Sequence, residues 1–176
     1  MRETIKKILR EYEEVDPLHI EKAKRSSRSG GTIGPKAVTP KAVLNYVNSV
    51  GDPSLEILDF GAGRDAKHTI SLIDAGLNVT AHDFHNPNPE ALTKQYDVVF
   101  ASNVLNVQGS EQMFEDTMDD ILRVMKPTGV FIANYPNSPR YFYQTSAEAK
   151  QVLEEYFNVD LIGCTVSVPI WIMYKK

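Results

Sequence analysis

Residues 57–63, Ile-Leu-Asp-Phe-Gly-Ala-Gly, constrain the fold of this 176-residue chain more than any other segment. The apolar residues predict a short buried strand over 56–60, and a helix is predicted from about 65 to 74, closed by Gly76. Gly61 and Gly63 therefore lie in a turn between a strand and a helix. A side chain there would forbid the turn or block a ligand that approaches the backbone.

Strands and helices keep alternating downstream of this turn. The predicted elements are helices from Thr39 to about 51, 111–125 and 146–157, and strands 78–81, 97–101, 130–134, 159–168 and 170–174. Thr39 and Ser146 are the predicted N-caps of the first and last of these helices. The alternation predicts an α/β fold with a mostly parallel sheet and an antiparallel C-terminal hairpin around Pro169.

The sequence predicts an N-terminal helical arm, residues 1–38, followed by a domain formed by residues 39–176. The arm region is basic: residues 1–41 carry ten Lys and Arg against six Asp and Glu, whereas the rest carries nine against seventeen. Glycines at 30, 31 and 34 are possible hinges of a lid. The arm is then either a solvated basic helix with a plain linker, or a lid and a contact for phosphates.

The composition excludes several classes of protein. One cysteine, Cys164, rules out an internal disulfide and a zinc site built from cysteines, and we expect no metal site. No apolar run approaches the ~20 residues that span a bilayer, and the first residues lack the apolar stretch of a signal peptide. We therefore expect a cytoplasmic protein with no membrane partner.

Two carboxylates flank the glycine turn. Asp59 lies two residues before Gly61, and Asp83 lies twenty residues after Gly63, where it could accept hydrogen bonds from ribose hydroxyls. These features leave two cofactors open, because residues 61–66, Gly-Ala-Gly-Arg-Asp-Ala, also satisfy the dinucleotide fingerprint of NAD enzymes. Asp59 favours a cationic methionine moiety over a pyrophosphate, whose charge it would repel.

Four segments taken together resemble the class I S-adenosylmethionine (SAM)-dependent methyltransferases. They are residues 57–63, Val-Thr-Ala-His-Asp at 79–83, Tyr-Asp-Val-Val-Phe-Ala-Ser-Asn-Val-Leu-Asn at 96–106, and Ile-Leu-Arg-Val-Met-Lys-Pro-Thr-Gly-Val-Phe at 121–131. The resemblance implies a three-layer Rossmann-like sandwich and SAM as the cofactor. The cofactor-binding residues that it implies are Asp59, Gly61 and Gly63 at the methionine and ribose, Asp83 and Phe84 at the ribose and adenine, and Ser102 and Asn103 at the mouth shared with the acceptor. Gly34 and Lys36 join them if the arm closes as a lid.

The sequence departs from this family between Asp83 and Asp97. The second lies only fourteen positions after the first, too few for the helix, strand and helix that the family usually has here, so the usual third strand is predicted to be missing. This compact layout resembles bacterial and phage methyltransferase-like proteins associated with DNA phosphorothioation. Ala-Ser-Asn-Val at 101–104 replaces the Asp/Asn-Pro-Pro-aromatic motif of amino-methylating DNA enzymes, which disfavours a standard DNA base methyltransferase.

Methyl transfer from a sulfonium is an in-line displacement, which depends on alignment and needs a base only when the acceptor must lose a proton. Candidate catalytic residues at the carboxyl ends of the strands are His85, Asn103 and Tyr135. A surface histidine and a packed tyrosine are the plainer interpretations of the first and last. The leading hypothesis is a SAM-dependent methyltransferase acting on a small molecule or a nucleic-acid component. A SAM-binding accessory or sensor protein and an NAD-dependent enzyme are the alternatives.

Overall fold

The computed structural model describes residues 17, 18, 21, 37–83 and 86–176. Over residues 37–83 and 86–176 the chain forms four α-helices, six strands and two short 3-10 turns. The helices are α1 (Val38–Val50), α2 (Lys67–Asp74), α3 (Glu111–Val124) and α4 (Ser146–Tyr156). The strands are β1 (Glu56–Phe60), β2 (Asn78–His82), β3 (Tyr96–Ala101), β4 (Met125–Asn134), β5 (Phe157–Thr165) and β6 (Val168–Lys175). The 3-10 turns are Ala91–Thr93 and Leu105–Val107.

The strands of this region form one sheet in the order β2-β1-β3-β4-β6-β5. β1 runs parallel to β2 and β3, and β3 runs parallel to β4. β6 runs antiparallel to both β4 and β5, so the last two strands form a reversed hairpin at one edge. The predicted α/β fold, with a mostly parallel sheet and an antiparallel C-terminal hairpin, is confirmed.

Helices cover both faces of the sheet, because successive strand residues point to opposite faces and most of them are apolar. On one face, Ile57 belongs to a core with residues of α1 and α2. On the other face, the next residue, Leu58, belongs to a core with residues of α3 and α4. The three layers are those of a Rossmann-like sandwich.

β2 lies at the edge of the sheet, with β1 as its partner. Residues 86–95, the described part of the connection from β2 to β3, contain the 3-10 turn Ala91–Thr93 and no strand. Leu92 in that turn is fully buried against the α3 side of the sheet. This short connection agrees with the prediction that the usual third strand is missing.

Both predicted helix caps were wrong by one or two residues. Helix α1 has Ala37 as its N-cap, and Thr39 lies inside the helix, almost fully buried. In α4 the N-cap is Thr145, because its hydroxyl accepts a hydrogen bond from the Glu148 N–H at 3.1 Å. In return, the Glu148 carboxylate accepts a hydrogen bond from the Thr145 N–H at 3.0 Å. That capping box leaves the Ser146 hydroxyl free to donate to the carbonyl of Val166 (2.7 Å).

The order of the strands creates a switch point between β1 and β3. The chain leaves β1 towards β2 on one side, and β3 then returns to the other side of β1. In open α/β sheets the crevice outside the carboxyl ends of such a strand pair is where ligands bind. Here the residues that follow β1 and β3 are the glycine turn and Ser102–Val104. No described helix is long and apolar enough to cross a membrane.

Candidate functional site

The glycine turn is tied to the end of β2. The N–H groups of Gly61 and Ala62 both donate to the carbonyl oxygen of His82, at 2.8 and 3.0 Å. Both glycines have positive φ, 86° at Gly61 and 73° at Gly63, a conformation that other residues rarely adopt. The turn is therefore held to the end of β2 by main-chain hydrogen bonds.

The two glycines are needed for different reasons. A Cβ at Gly61 would lie 2.3 Å from Cγ2 of Val104, so the loop after β3 packs directly against this glycine. A Cβ at Gly63 would meet no atom within 4 Å beyond its chain neighbours. Gly61 is therefore required by the packing of the protein itself, whereas Gly63 faces open space at the mouth of the crevice.

Asp83 holds the far side of the turn. Its Oδ2 accepts a hydrogen bond from the N–H of Gly63 at 2.9 Å, and the residue is only 8% exposed. The predicted spacing of twenty residues thus brings this carboxylate against the second glycine. Because each carboxylate oxygen has two lone pairs, the group can accept further hydrogen bonds while it holds the turn.

Asp59 is a fully buried carboxyl group beneath the same turn. Its Oδ2 accepts a hydrogen bond from the hydroxyl of Thr69 in α2 (2.7 Å), whereas its buried Oδ1 has no hydrogen-bond partner. Burial, opposed by the hydrogen bonds from Thr69 and assisted by the nearby charge of Asp83, raises the pKa of Asp59 to about 7. Burial makes the ionised form of this group costly, and a cationic group bound above the turn would favour that form.

His82 lies between the turn and the loop that follows β2. Its ring is 3% exposed and packs near Phe60, with the ring centroids 5.7 Å apart. The Nδ1 atom lies 3.1 Å from the carbonyl oxygen and 3.3 Å from the N–H nitrogen of Asn88. Burial lowers the pKa of His82, which favours a neutral ring that orders this loop.

The loop after β3 carries two of the predicted site residues. Ser102 is half-buried, and Asn103 is exposed with φ 60°, in the left-handed region. The backbone N–H of Asn103 donates to Oδ1 of Asn134 (2.7 Å), and Nδ2 of Asn134 donates to Oδ1 of Asn103 (2.8 Å). This reciprocal pair joins the carboxyl ends of β3 and β4. Asn134 is a residue that the sequence analysis missed.

Tyr135 is packed within the loop after β4. It is fully buried, its hydroxyl donates to the carbonyl oxygen of Tyr143, and burial raises its pKa to about 12. The guanidinium carbon of Arg140 lies 4.6 Å from the centre of its ring. These contacts favour the plainer interpretation of Tyr135, a packing role.

The loop after β4 is held mainly by Arg140. Its guanidinium donates to the carbonyl oxygens of Tyr135, Pro136, Gln144 and Ser167 and to the side chain of Asn137. A guanidinium with this many internal partners stabilises the loop.

The structure brings most of the predicted site together at one edge of the sheet. The end of β1 contains Asp59, and the strand is followed by Gly61 and Gly63. The residue after β2 is Asp83, and the residues after β3 are Ser102 and Asn103. Four predicted site residues lie outside the described residues: Gly34, Lys36, Phe84 and His85. Among the residues that are described, no group of three His, Cys, Asp or Glu side chains could hold a metal ion.

Several solved structures with a similar fold are methyltransferases. A TehB-like SAM-dependent methyltransferase from Corynebacterium glutamicum superposes with a TM-score of 0.60 at 15% identity, covering 92% of this chain and all of the other. The chain has a methyltransferase fold. The glycopeptide N-methyltransferase MtfA, in complex with S-adenosylhomocysteine (SAH), gives a TM-score of 0.59 at 12% identity, covering 84% of this chain and 94% of that one.

A third neighbour is DhpI, also in complex with SAH, with a TM-score of 0.58 at 12% identity and coverage of 92% and 98%. At these identities the likeness extends to the fold and no further. Comparison of the sequence with protein-family models and with curated proteins finds no match.

Proposed function

We propose that this protein is a SAM-dependent methyltransferase whose cofactor lies over Gly63, in the crevice between β1 and β3. The structural neighbours MtfA and DhpI have been captured with SAH, and MtfA also with SAM. Their fold supports the proposal without identifying the ligand of this chain. The choice of SAM rests on the chemistry of the glycine turn.

The observation that carries the proposal is how the turn uses its N–H groups. Gly61 and Ala62 donate to the carbonyl of His82, and Gly63 donates to the carboxylate of Asp83. A pyrophosphate is bound at such a turn by free main-chain N–H groups and the positive end of the following helix. Here those three N–H groups already have acceptors, so the turn is poorly suited to the pyrophosphate of NAD.

The charges around the turn support the same choice. Asp83 lies against the turn and Asp59 lies beneath it, and each group, when ionised, would repel a pyrophosphate but attract a sulfonium or ammonium group. The open space beside Gly63 is the feature that the methionine part and the ribose of SAM would use. Asp83 would accept hydrogen bonds from the ribose hydroxyls.

SAM would supply an electrophilic methyl group, and the protein residues would align the acceptor with it. In an in-line displacement, alignment and exclusion of water account for much of the rate enhancement. Asn103, at the edge of the crevice, would bind the acceptor. Of the predicted catalytic residues, His85 lies outside the described region and stays a prediction. The acceptor class and the relation to compact phosphorothioation-associated proteins likewise stay predictions.

Isothermal titration calorimetry with SAM, SAH and NAD tests the cofactor. We expect SAM and SAH to bind with Kd values of about 1–100 µM, corresponding to roughly 5–8 kcal/mol, and NAD to bind at least about tenfold more weakly. If NAD binds as tightly as SAH, the proposed cofactor is wrong.

A second experiment tests catalysis. The protein is incubated with methyl-labelled SAM and, separately, with a small-molecule extract, tRNA, DNA and protein. We expect the label to be transferred to one of these pools. Tight SAM binding with no transfer to any pool would contradict the methyltransferase and favour the SAM sensor.

A further inference from the structure

Asn103 and Asn134 form a pair whose geometry decides which polar group Asn103 presents to the crevice. Each residue gives the other one hydrogen bond: the Asn103 backbone N–H donates to Oδ1 of Asn134, and the Asn134 Nδ2 donates to Oδ1 of Asn103. Since both polar atoms of the Asn134 side chain are used, its orientation is determined. The side-chain oxygen of Asn103 is used as well.

One group of the pair has no protein partner. Nδ2 of Asn103 makes no hydrogen bond to any of the residues that the structure describes, and Asn103 is exposed at the carboxyl end of β3. The next residue, Val104, packs against Gly61, so this loop lies beside the glycine turn. The free amide N–H groups therefore lie at the edge of the proposed cofactor site.

The left-handed conformation of Asn103 belongs to the same arrangement. Asparagine adopts this conformation more readily than most residues, and here the hydrogen bond from its N–H to Asn134 holds it. Thirty-one positions separate the two residues in the sequence, so the conformation depends on the pairing of β3 with β4.

We propose that Asn134 is a positioning residue that orients the carboxamide of Asn103, so that the site offers a hydrogen-bond donor at the place where the methyl acceptor meets the cofactor. This inference rests on the proposed SAM site. The acceptor is then a molecule with a hydrogen-bond-accepting oxygen or nitrogen beside the atom that is methylated. A protonated amine beside that atom, which can only donate, is disfavoured.

Replacing Asn134 by aspartate reverses the polarity with little change in shape. A carboxylate at position 134 can only accept hydrogen bonds, so it still accepts from the Asn103 backbone N–H but repels the Asn103 Oδ1. The Asn103 carboxamide then rotates, donates Nδ2 to the new carboxylate, and presents its oxygen to the crevice. Asn134→Asp should therefore make the site attractive to a cationic donor.

The probes are SAH and sinefungin, the latter an analogue in which a carbon that carries an amine replaces the sulfur and its methyl group in SAM. Sinefungin has been captured on the structural neighbour MtfA. We expect Asn134→Asp to raise the affinity for sinefungin relative to SAH by about tenfold, equivalent to about 1.4 kcal/mol. Asn158→Asp is the matched control, because it adds the same charge at an exposed position at the opposite edge of the sheet and should leave this ratio unchanged.

A double variant separates action through Asn103 from a direct effect of the new charge. Glycine at position 103 accepts the left-handed conformation without strain but lacks the carboxamide. In the Asn103→Gly background, Asn134→Asp should raise the ratio by about threefold or less, since non-additivity marks residues that act as a unit. A full tenfold rise in that background would overturn the positioning role.

The two proposals fail in different ways. If the wild-type protein binds SAH but Asn134→Asp leaves the sinefungin-to-SAH ratio unchanged, the inference about Asn134 is wrong and the SAM site stands. If the wild-type protein binds neither compound, both proposals are wrong. Thermal unfolding of each variant establishes that the affinities refer to folded protein.

Discussion

Replacing Gly63 by alanine tests whether the glycine turn faces a ligand. Gly63 has φ 73°, and an added Cβ would meet no atom within 4 Å beyond its chain neighbours. The substitution therefore costs the folded protein mainly backbone strain, about 1–2 kcal/mol for an L residue in the left-handed region. For a chain of this size that cost lowers the Tm by roughly 2–8 °C. A cofactor lying over the turn would, in addition, collide with the new methyl group.

Gly76 provides a matched control. It has φ 88°, an added Cβ there also meets no atom within 4 Å, and it follows helix α2, whereas Gly63 precedes it. Gly76→Ala should therefore cost a similar strain without touching a ligand over the turn. The comparison separates loss of binding from loss of stability.

The assay is calorimetric titration with SAH, well below the Tm of both variants. We expect Gly63→Ala to weaken SAH binding by at least about tenfold, which is about 1.4 kcal/mol or more, and Gly76→Ala to change it by less than about twofold. An unchanged affinity in Gly63→Ala would refute the placement of the cofactor over this glycine. Equal losses in both variants would attribute the effect to instability.

Two further predictions concern groups around the site. The pKa of Asp59 is raised from 3.8 to about 7, so the folded protein binds this proton more tightly than the unfolded chain does. The contribution of this group to the free energy of unfolding therefore falls as the pH rises from about 4 to about 7. Asp59→Asn should flatten the dependence of Tm on pH across that range and stabilise the protein at about pH 8 by up to roughly 4 kcal/mol. If the Tm of the variant depends on pH as strongly as that of the wild type, the raised pKa is contradicted. Arg140→Lys keeps the charge but loses the guanidinium donors that hold the loop after β4. The free energy of unfolding, measured in urea, should therefore fall by about 1–3 kcal/mol, and the affinity for SAH should stay unchanged. An unfolding midpoint equal to that of the wild type would show that the loop does not depend on Arg140.

The elements that local patterns specify were predicted well. The strand at residues 56–60 is apolar and ends in glycines that the turn requires, and β1 and the turn lie where the pattern placed them. The spacing from Gly63 to Asp83 was informative because parallel strands end at the same edge of a sheet. The short connection after Asp83 indicated the missing strand by its length alone.

Helix caps were predicted less well: α1 begins after Ala37, which makes no side-chain cap, and two polar residues compete at the start of α4. Thr145 and Ser146 are both good N-caps, and the choice depends on which hydroxyl reaches the N–H of the third helical residue. Glu148 completes a capping box with Thr145, while the β5–β6 turn supplies a carbonyl for Ser146. That carbonyl belongs to a residue twenty positions away, which a local pattern does not include.

By itself, the sequence determined the class of fold, the glycine turn and the two carboxylates beside it, because each follows from periodicity or from spacing along neighbouring strands. Only the tertiary structure decided which side chains complete the site. Thr69 reaches Asp59, and Asn134 reaches Asn103, through contacts that depend on how a helix or a strand packs beside another. The same packing buried Tyr135, which the sequence had offered as a catalytic residue. Hydrogen-bond partners of this kind are chosen by three-dimensional proximity, and proximity is a property of the assembled sheet.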